Sequence, residues 1–306
     1  MTKGIETLLA IIGCSFWGLT FIFLKPVAPY ASASDLVFWR FVFTAVFLFI
    51  FHKITIKKFN FSFNDFKLML ITSFLGFFLY QLFCNFGVSM ISGSEAGLIH
   101  GLIPIVTIFF ERVLRNKKIT PLKGVAMMTS IAGIYLISQS SGTANSQFIG
   151  YVLMFAGISA WVIYTFISEK LLDRYHGIEL LAYQSLLGAM WVIPYNLITE
   201  QRLVSLNIFT STTAWGNLLL SAILSSGIGY ILYMRGVKNL GIGTMSFIVN
   251  IMPISSLLAG AIILGDPITL NNFFGLILIL ISVYMILVDN SQSKHKKRKK
   301  KLSFSQ

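Results

Sequence analysis

Apolar residues run along this chain in long unbroken stretches, without the every-other-residue alternation of a half-buried strand, so helices are predicted wherever a stretch approaches the thickness of a bilayer. Five such runs come first: Ile5 to Leu24, Leu36 to Phe51, Leu68 to Met90, Ala96 to Val113 and Pro121 to Ile137. A polar linker from Ser138 to Gln147 separates them from five more: Ile149 to Ile167, Ile178 to Ile198, Ala214 to Met234, Gly243 to Leu264 and Phe273 to Val288. The second and fifth are short and must borrow flanking residues to cross. In lipid, only helices and closed barrels satisfy every backbone group, and the missing alternation argues against a barrel. The expected fold class is all-α and polytopic, with ten transmembrane helices.

Composition agrees. The chain is 56% hydrophobic and 11% charged, where a soluble domain carries about a quarter charged residues. Lys3 ahead of the first run, with Ala31-Ser32-Ala33 after it, resembles a secretory signal. Equivalent residues recur in the second half, where no signal acts, so the run is read as a span. The net charge of +13 does not point to nucleic acid, because seven of the 24 basic residues lie in one terminal run, Lys294 to Lys301, with no aromatic interleaving. That tail is expected to meet anionic lipid headgroups, at about 1 kcal/mol per charge.

Positive charge also sets orientation, since cytoplasmic loops hold the excess of Lys and Arg. With the N-terminus inside, 21 of the 24 fall on the cytoplasmic side, Lys25 and Arg202 opposite, and Arg40 inside a span. Both termini are therefore expected in the cytoplasm, with the chain multi-pass in the cell membrane of a bacterium.

The two halves repeat. Sliding the chain on itself by 149 residues aligns Gly87 to Ile137 with Gly236 to Ile286 without a gap, pairing Pro104 with Pro253 and Tyr135 with Tyr284. At a slightly smaller offset Trp17 meets Trp161, Trp39 meets Tyr183 and Arg40 meets Gln184. The organisation is thus a first five-helix repeat over 1–140, a second over 148–290 and a polybasic tail over 291–306. Five is odd, so the second repeat enters from the opposite side. Inverted repeats rocking about a central site are the geometry of alternating access, which makes a secondary transporter the leading reading.

With Trp17, Phe38-Trp39-Arg40-Phe41, the Gly87 to Pro104 stretch and the Gly265-Asp266-Pro267 turn in view, the chain resembles the drug/metabolite transporter superfamily, and within it the EamA-type ten-span members. Members are similar in carrying an Arg in the second span, where Arg40 stands, and an acidic residue after Gly at the turn between the fourth and fifth spans of each half. The second half matches with Gly265-Asp266; the first departs, reading Asn116-Lys117. The resemblance implies a cavity between spans one to four and six to nine, with spans five and ten as scaffold and homodimer contact. It also implies export, less often uptake, of amino acids or other small metabolites.

Candidate translocation residues follow from polarity inside the spans. Arg40 is costly in lipid; it either snorkels to the headgroups or stands in the cavity to meet a substrate carboxylate or phosphate. His100, before Pro104, is a proton-carrier candidate or an interhelical hydrogen-bond partner. Gln81 and Asn85 share one helix face that lipid would penalise. Trp17 and Trp161 are stacking surfaces or core filler, and Tyr183, Gln184 and Asn250 enter as repeat partners of residues in the first half. Gly93, Gly97 and Gly101 form a small-residue face for close packing. Pro104 and Pro253 each free a helix carbonyl near mid-membrane, for a kink or a pore lining.

Competing classes are an intramembrane Ser/His enzyme, from Ser92, Ser94 and His100, and a passive channel or scaffold. The serines sit six to eight residues from His100 on or beside one helix, which does not make a dyad. Neither a metal motif nor a phosphate-binding loop occurs, so no metal or cofactor and no direct use of ATP are expected.

Overall fold

The computed structural model describes residues 3–288 apart from 57–60, 92, 117–118, 139–143, 200–203, 283 and 286–287. The polybasic tail, half of the interrepeat linker and Arg202 lie outside the described residues. Among these residues every regular element is helical. Six helices are long and apolar enough to cross a membrane: the first at Gly4–Leu24, the second at Ala33–Thr55, the third at Phe63–Met90, the sixth at Phe148–Leu172, the eighth at Thr212–Leu240 and the ninth at Ile242–Leu264. The other four expected spans are helical but interrupted or short. The fourth runs over 93–115 in three pieces, the fifth is Pro121–Ser138, the seventh, 177–198, breaks at Trp191, and the tenth is Leu270–Ser282.

Helices of one half pack on helices of the other: the first against the eighth and ninth, the second against the seventh, the third against the sixth. The first approaches the ninth at Gly18, where a Cβ would stand 2.7 Å from the Met252 carbonyl oxygen and 2.0 Å from Ser255 Oγ. A carbonyl cannot rotate away as a side chain can. Gly18→Ala is expected to lower thermal stability in detergent by overpacking, about 1–3 kcal/mol, whereas Gly4→Ala, with open space around it, leaves the melting temperature unchanged. An unaltered melting curve for Gly18→Ala would show that the two helices are further apart than described.

The paired prolines solve one problem in one way. Proline lacks an N–H, so the carbonyl four residues earlier loses its helical partner. Those carbonyls belong to His100 and Val249. Each accepts instead from the N–H just before the proline, Ile103 in the fourth helix and Met252 in the ninth at 2.9 Å. The result is a tight 3₁₀ break in each helix rather than an open kink with a bare carbonyl. Gly101, in the first of these breaks, lets Ile279 of the tenth helix and Pro253 approach closely. Side-chain surroundings of Gly93 and Gly97 lie outside the described residues.

Two further features recur at repeat-related positions. The third and eighth helices each contain a π-helical segment, Phe74–Leu79 and Ser221–Gly229. The turn after the fourth helix places Asn116 at φ 54°, and its partner after the ninth places Gly265 at φ 69°. The left-handed turn therefore survives the departure from Gly, because Asn is among the residues that tolerate that region.

Charge is distributed unequally between the two ends of the bundle. Three ion pairs occur among the described residues, and all three join one half to the other at the Lys/Arg-rich end. Glu6 takes Arg235 through two bonds of 2.8 and 2.9 Å, Asp65 takes Arg174 at 2.6 Å, and Glu169 pairs with Arg115. Tyr175 adds a hydroxyl on Asp65 at 3.2 Å. At the other end the halves meet through backbone. The Ser32 capping box that starts the second helix leaves Asp35 Oδ1 free to accept the Ser205 N–H at 2.9 Å, and Trp39 donates to the Ser205 carbonyl at 2.9 Å.

Candidate functional site

A small cavity lies where the halves meet, lined by Trp17, Thr20, Arg40, Tyr80, Gln81, Trp161, Tyr230 and Met252. None of these residues is more than 8% exposed, so the site is occluded. Five helices contribute a lining residue besides the second, which brings Arg40: the first, third, sixth, eighth and ninth.

Arg40 does not snorkel. It is 2% exposed and bonds inward, Nε to Ser226 Oγ at 2.7 Å and Nη1 to Gln81 Oε1 at 2.9 Å, with its guanidinium 5.6 Å from the Phe41 ring. Both hydrogen-bond partners are neutral, and no ion pair among the described residues includes Arg40. A buried charge without a counter-charge is expensive. Because Arg only donates, Gln81 must present its amide oxygen to Arg40 and its NH₂ to Tyr230 Oη, 3.0 Å away.

Repeat partners meet here. The Trp17 and Trp161 rings stand edge to face at 5.2 Å, and Tyr230, which bonds Gln81, is the residue the 149-residue shift assigns to Gln81. Trp17 Nε1 donates to the Ser225 carbonyl at 3.0 Å, within the π segment of the eighth helix. Below, Tyr233 and Tyr164 continue the aromatic layer, 4.6 Å from Trp17 and 4.8 Å from Trp161. Tyr80 and Tyr230 are each the first α-helical residue after a π segment.

The other candidates fall outside the lining. His100 is fully buried one layer behind it: Nε2 lies 3.0 Å from Tyr80 Oη and 3.9 Å from Cys84 Sγ, and Nδ1 lies 2.7 Å from the Ala96 carbonyl. Asn85 donates to the Ala33 carbonyl at 3.2 Å and ties the third helix to the second. Gln184 is fully buried in its own network, donating to Thr72 at 2.8 Å and Ser168 at 3.3 Å and accepting from Tyr164 at 3.2 Å. Tyr183 packs on Phe49 and Phe61, and Asn250, at the ninth-helix break, donates to the Ser246 carbonyl. Sequence reasoning missed Thr20, Tyr80, Tyr230, Met252 and Ser226. The repeat shift applied to Gln81 would have found Tyr230. Ser92 and Ser94, the serines of the enzyme reading, have side chains outside the described residues. His52, the other histidine within a long helix, stands 6.5 Å ring to ring from His176.

The EamA-like transporter family matches residues 4–139 and 148–288, and the chain belongs to that family, a branch of the drug/metabolite transporter superfamily. It is therefore a multi-pass membrane protein, and a transporter rather than an enzyme by family and relatives. Similar proteins include an uncharacterized transporter of Archaeoglobus fulgidus, 26% identical over 89% of this chain and 95% of that one. The uncharacterized transporter YyaM of Bacillus subtilis is 23% identical over 92% and 93%. A protein of Streptantibioticus cattleyicolor named "probable terminal-alkyne amino-acid exporter" is 20% identical over 66% and 67%. One crystal structure shares the fold at 15% identity, with a TM-score of 0.69 over 93% of this chain and 96% of that one.

Proposed function

We propose that this chain is a secondary transporter that exports small metabolites bearing a carboxylate or similar anion, amino acids among them, by alternating access about the Arg40 cavity. The observation that carries the reading is Arg40 itself: a buried guanidinium, held by two neutral side chains, in a cavity walled by aromatic rings at the seam of two halves. A substrate anion supplies the missing counter-charge, and the rings of Trp17, Trp161 and Tyr230 receive its apolar part. The name of the Streptantibioticus relative supports both the substrate class and the direction. In this reading the Lys/Arg-rich end is cytoplasmic, so the three ion pairs close the inner side. Pairing of two copies through the fifth and tenth helices, and tail contact with anionic lipid, belong to the same proposal.

Cells overproducing the protein should survive toxic amino-acid analogues that arrest control cells. Purified protein in liposomes should then release the preloaded compound that gave the strongest resistance. No flux of any carboxylate-bearing compound from such a screen would sink the proposal.

A further inference from the structure

His100 and Tyr80 sit outside the anion account given above, although Tyr80 lines the cavity and His100 touches it. Hydrogen-bond roles here are fixed by partners that have only one role. The Ala96 carbonyl only accepts, so His100 Nδ1 carries a hydrogen. In the neutral ring Nε2 is then a bare lone pair, and the Tyr80 hydroxyl at 3.0 Å must donate to it. What Tyr80 has left to offer is its oxygen lone pairs. Tyr230 is set the opposite way: its oxygen accepts from the Gln81 amide, so its own O–H remains to be donated. The cavity therefore has a donor end, Arg40 with Tyr230, and an acceptor at Tyr80, beside the ring faces of Trp161 and Tyr230.

We propose that His100 and Tyr80 form a proton-operated switch that makes an amine-bearing substrate and a proton mutually exclusive. With His100 neutral, Tyr80 accepts a hydrogen bond from the substrate's ammonium group while Arg40 and Tyr230 hold its anion. A proton arriving at Nε2 reverses the bond. The imidazolium N–H now donates to the Tyr80 oxygen, the tyrosine hydrogen turns away from His100, and the cavity meets a donor where it had an acceptor. No covalent bond to carbon changes; one proton is gained at Nε2 and one ammonium contact is lost. The amine leaves as the proton enters, which is exchange of substrate against a proton.

Among the described residues, the titratable and charged groups beside His100 include Tyr80 and Cys84 of the third helix, then Arg40 and Tyr230 across the cavity. Glu95 lies five residues outward on the same helix, bonded by Tyr151 of the sixth at 3.1 Å. The ninth and tenth helices bring Pro253 and Ile279 to the neighbouring Gly101, neither of them titratable. Arg40 makes a second positive charge nearby costly, so an added proton and a bound ammonium are opposed by the same field.

The inference rests on the proposed transport reading for its substrate, and its test separates the two. In the full-length protein in detergent, nitrogen NMR of the imidazoles should show His100 as the Nδ1–H tautomer. As the pH is lowered, protonation of His100 should coincide with a shift of one tyrosine C–O stretching band from hydrogen-bond donor to acceptor, and that shift should be absent in Tyr80→Phe. These readouts need no substrate. A mixture of the standard amino acids should then lower proton affinity at His100 by about tenfold, one pH unit, in the native protein and not in Tyr80→Phe. An Nε2–H tautomer, no protonation down to the acid limit of the folded protein, or an unmoved tyrosine band overturns the switch. So does an amino-acid mixture that is transported yet leaves the titration in place. A correct tautomer and band shift without any amino-acid flux instead counts against the transport reading alone.

Discussion

Arg40→Ala is expected to abolish measurable flux in liposomes while leaving the protein monodisperse. Truncating one partner of a buried, charge-assisted contact costs about 2–5 kcal/mol, and each 1.4 kcal/mol is a factor of ten. Affinity for an anionic substrate should accordingly fall by about 30-fold or more. Arg40→Lys keeps the charge but loses the planar fork that reaches Ser226 and Gln81 together. It should retain partial flux with a raised half-saturation concentration. Unchanged flux in Arg40→Ala would remove Arg40 from substrate binding and leave its bonds to Gln81 and Ser226 as purely structural.

Removing charge from the three ion pairs should bias the bundle toward opening at its Lys/Arg-rich end. Each pair is partly exposed, with side-chain exposures of 41% for Arg235 and 67% for Arg174, so each is worth only a fraction of a buried pair. Together they should bias the population only several-fold, an effect that added salt weakens. The reporter is Met252→Cys in a protein lacking Cys14 and Cys84, labelled by an impermeant maleimide added at that end. Glu6→Gln, Asp65→Asn and Glu169→Gln combined should accelerate labelling several-fold. Exchanging the charges of Glu6 and Arg235 in the otherwise native protein should keep the rate close to native. A labelling rate indifferent to all three would mean that the pairs are not a closure.

Much of this architecture could be read in the chain before any coordinates. Hydropathy placed the helices, and the internal repeat identified Pro104 with Pro253 and Trp17 with Trp161. Arg40 stood out because a charge within an apolar run must be accounted for. Of the polar stripe, Gln81 lines the cavity, whereas Asn85, one turn on, bonds the Ala33 carbonyl of the second helix. Repeat equivalence overreached for Gln184. That residue matches Arg40 in alignment but is satisfied by Thr72, Ser168 and Tyr164 and does not line the cavity. Tyr80 and Tyr230 were missed for a physical reason. Tyrosine is unremarked in apolar sequence, and whether it faces lipid or a cavity depends on helix phase, which the π segments alter and which a period of 3.6 does not report.

Those π segments carry a consequence for how the sequence tolerates change. Each sets the angular phase of the helix beyond it, and in both halves the first residue beyond is a cavity tyrosine. If the segment Phe74–Leu79 were wound as plain α-helix with its length unchanged, the following stretch would turn by about 100° about its axis. Tyr80 would swing off His100 and Gln81 off Arg40, although every residue named in the site would still be present. The π winding of 74–79 and 221–229 is therefore as much a part of the site as side-chain identity.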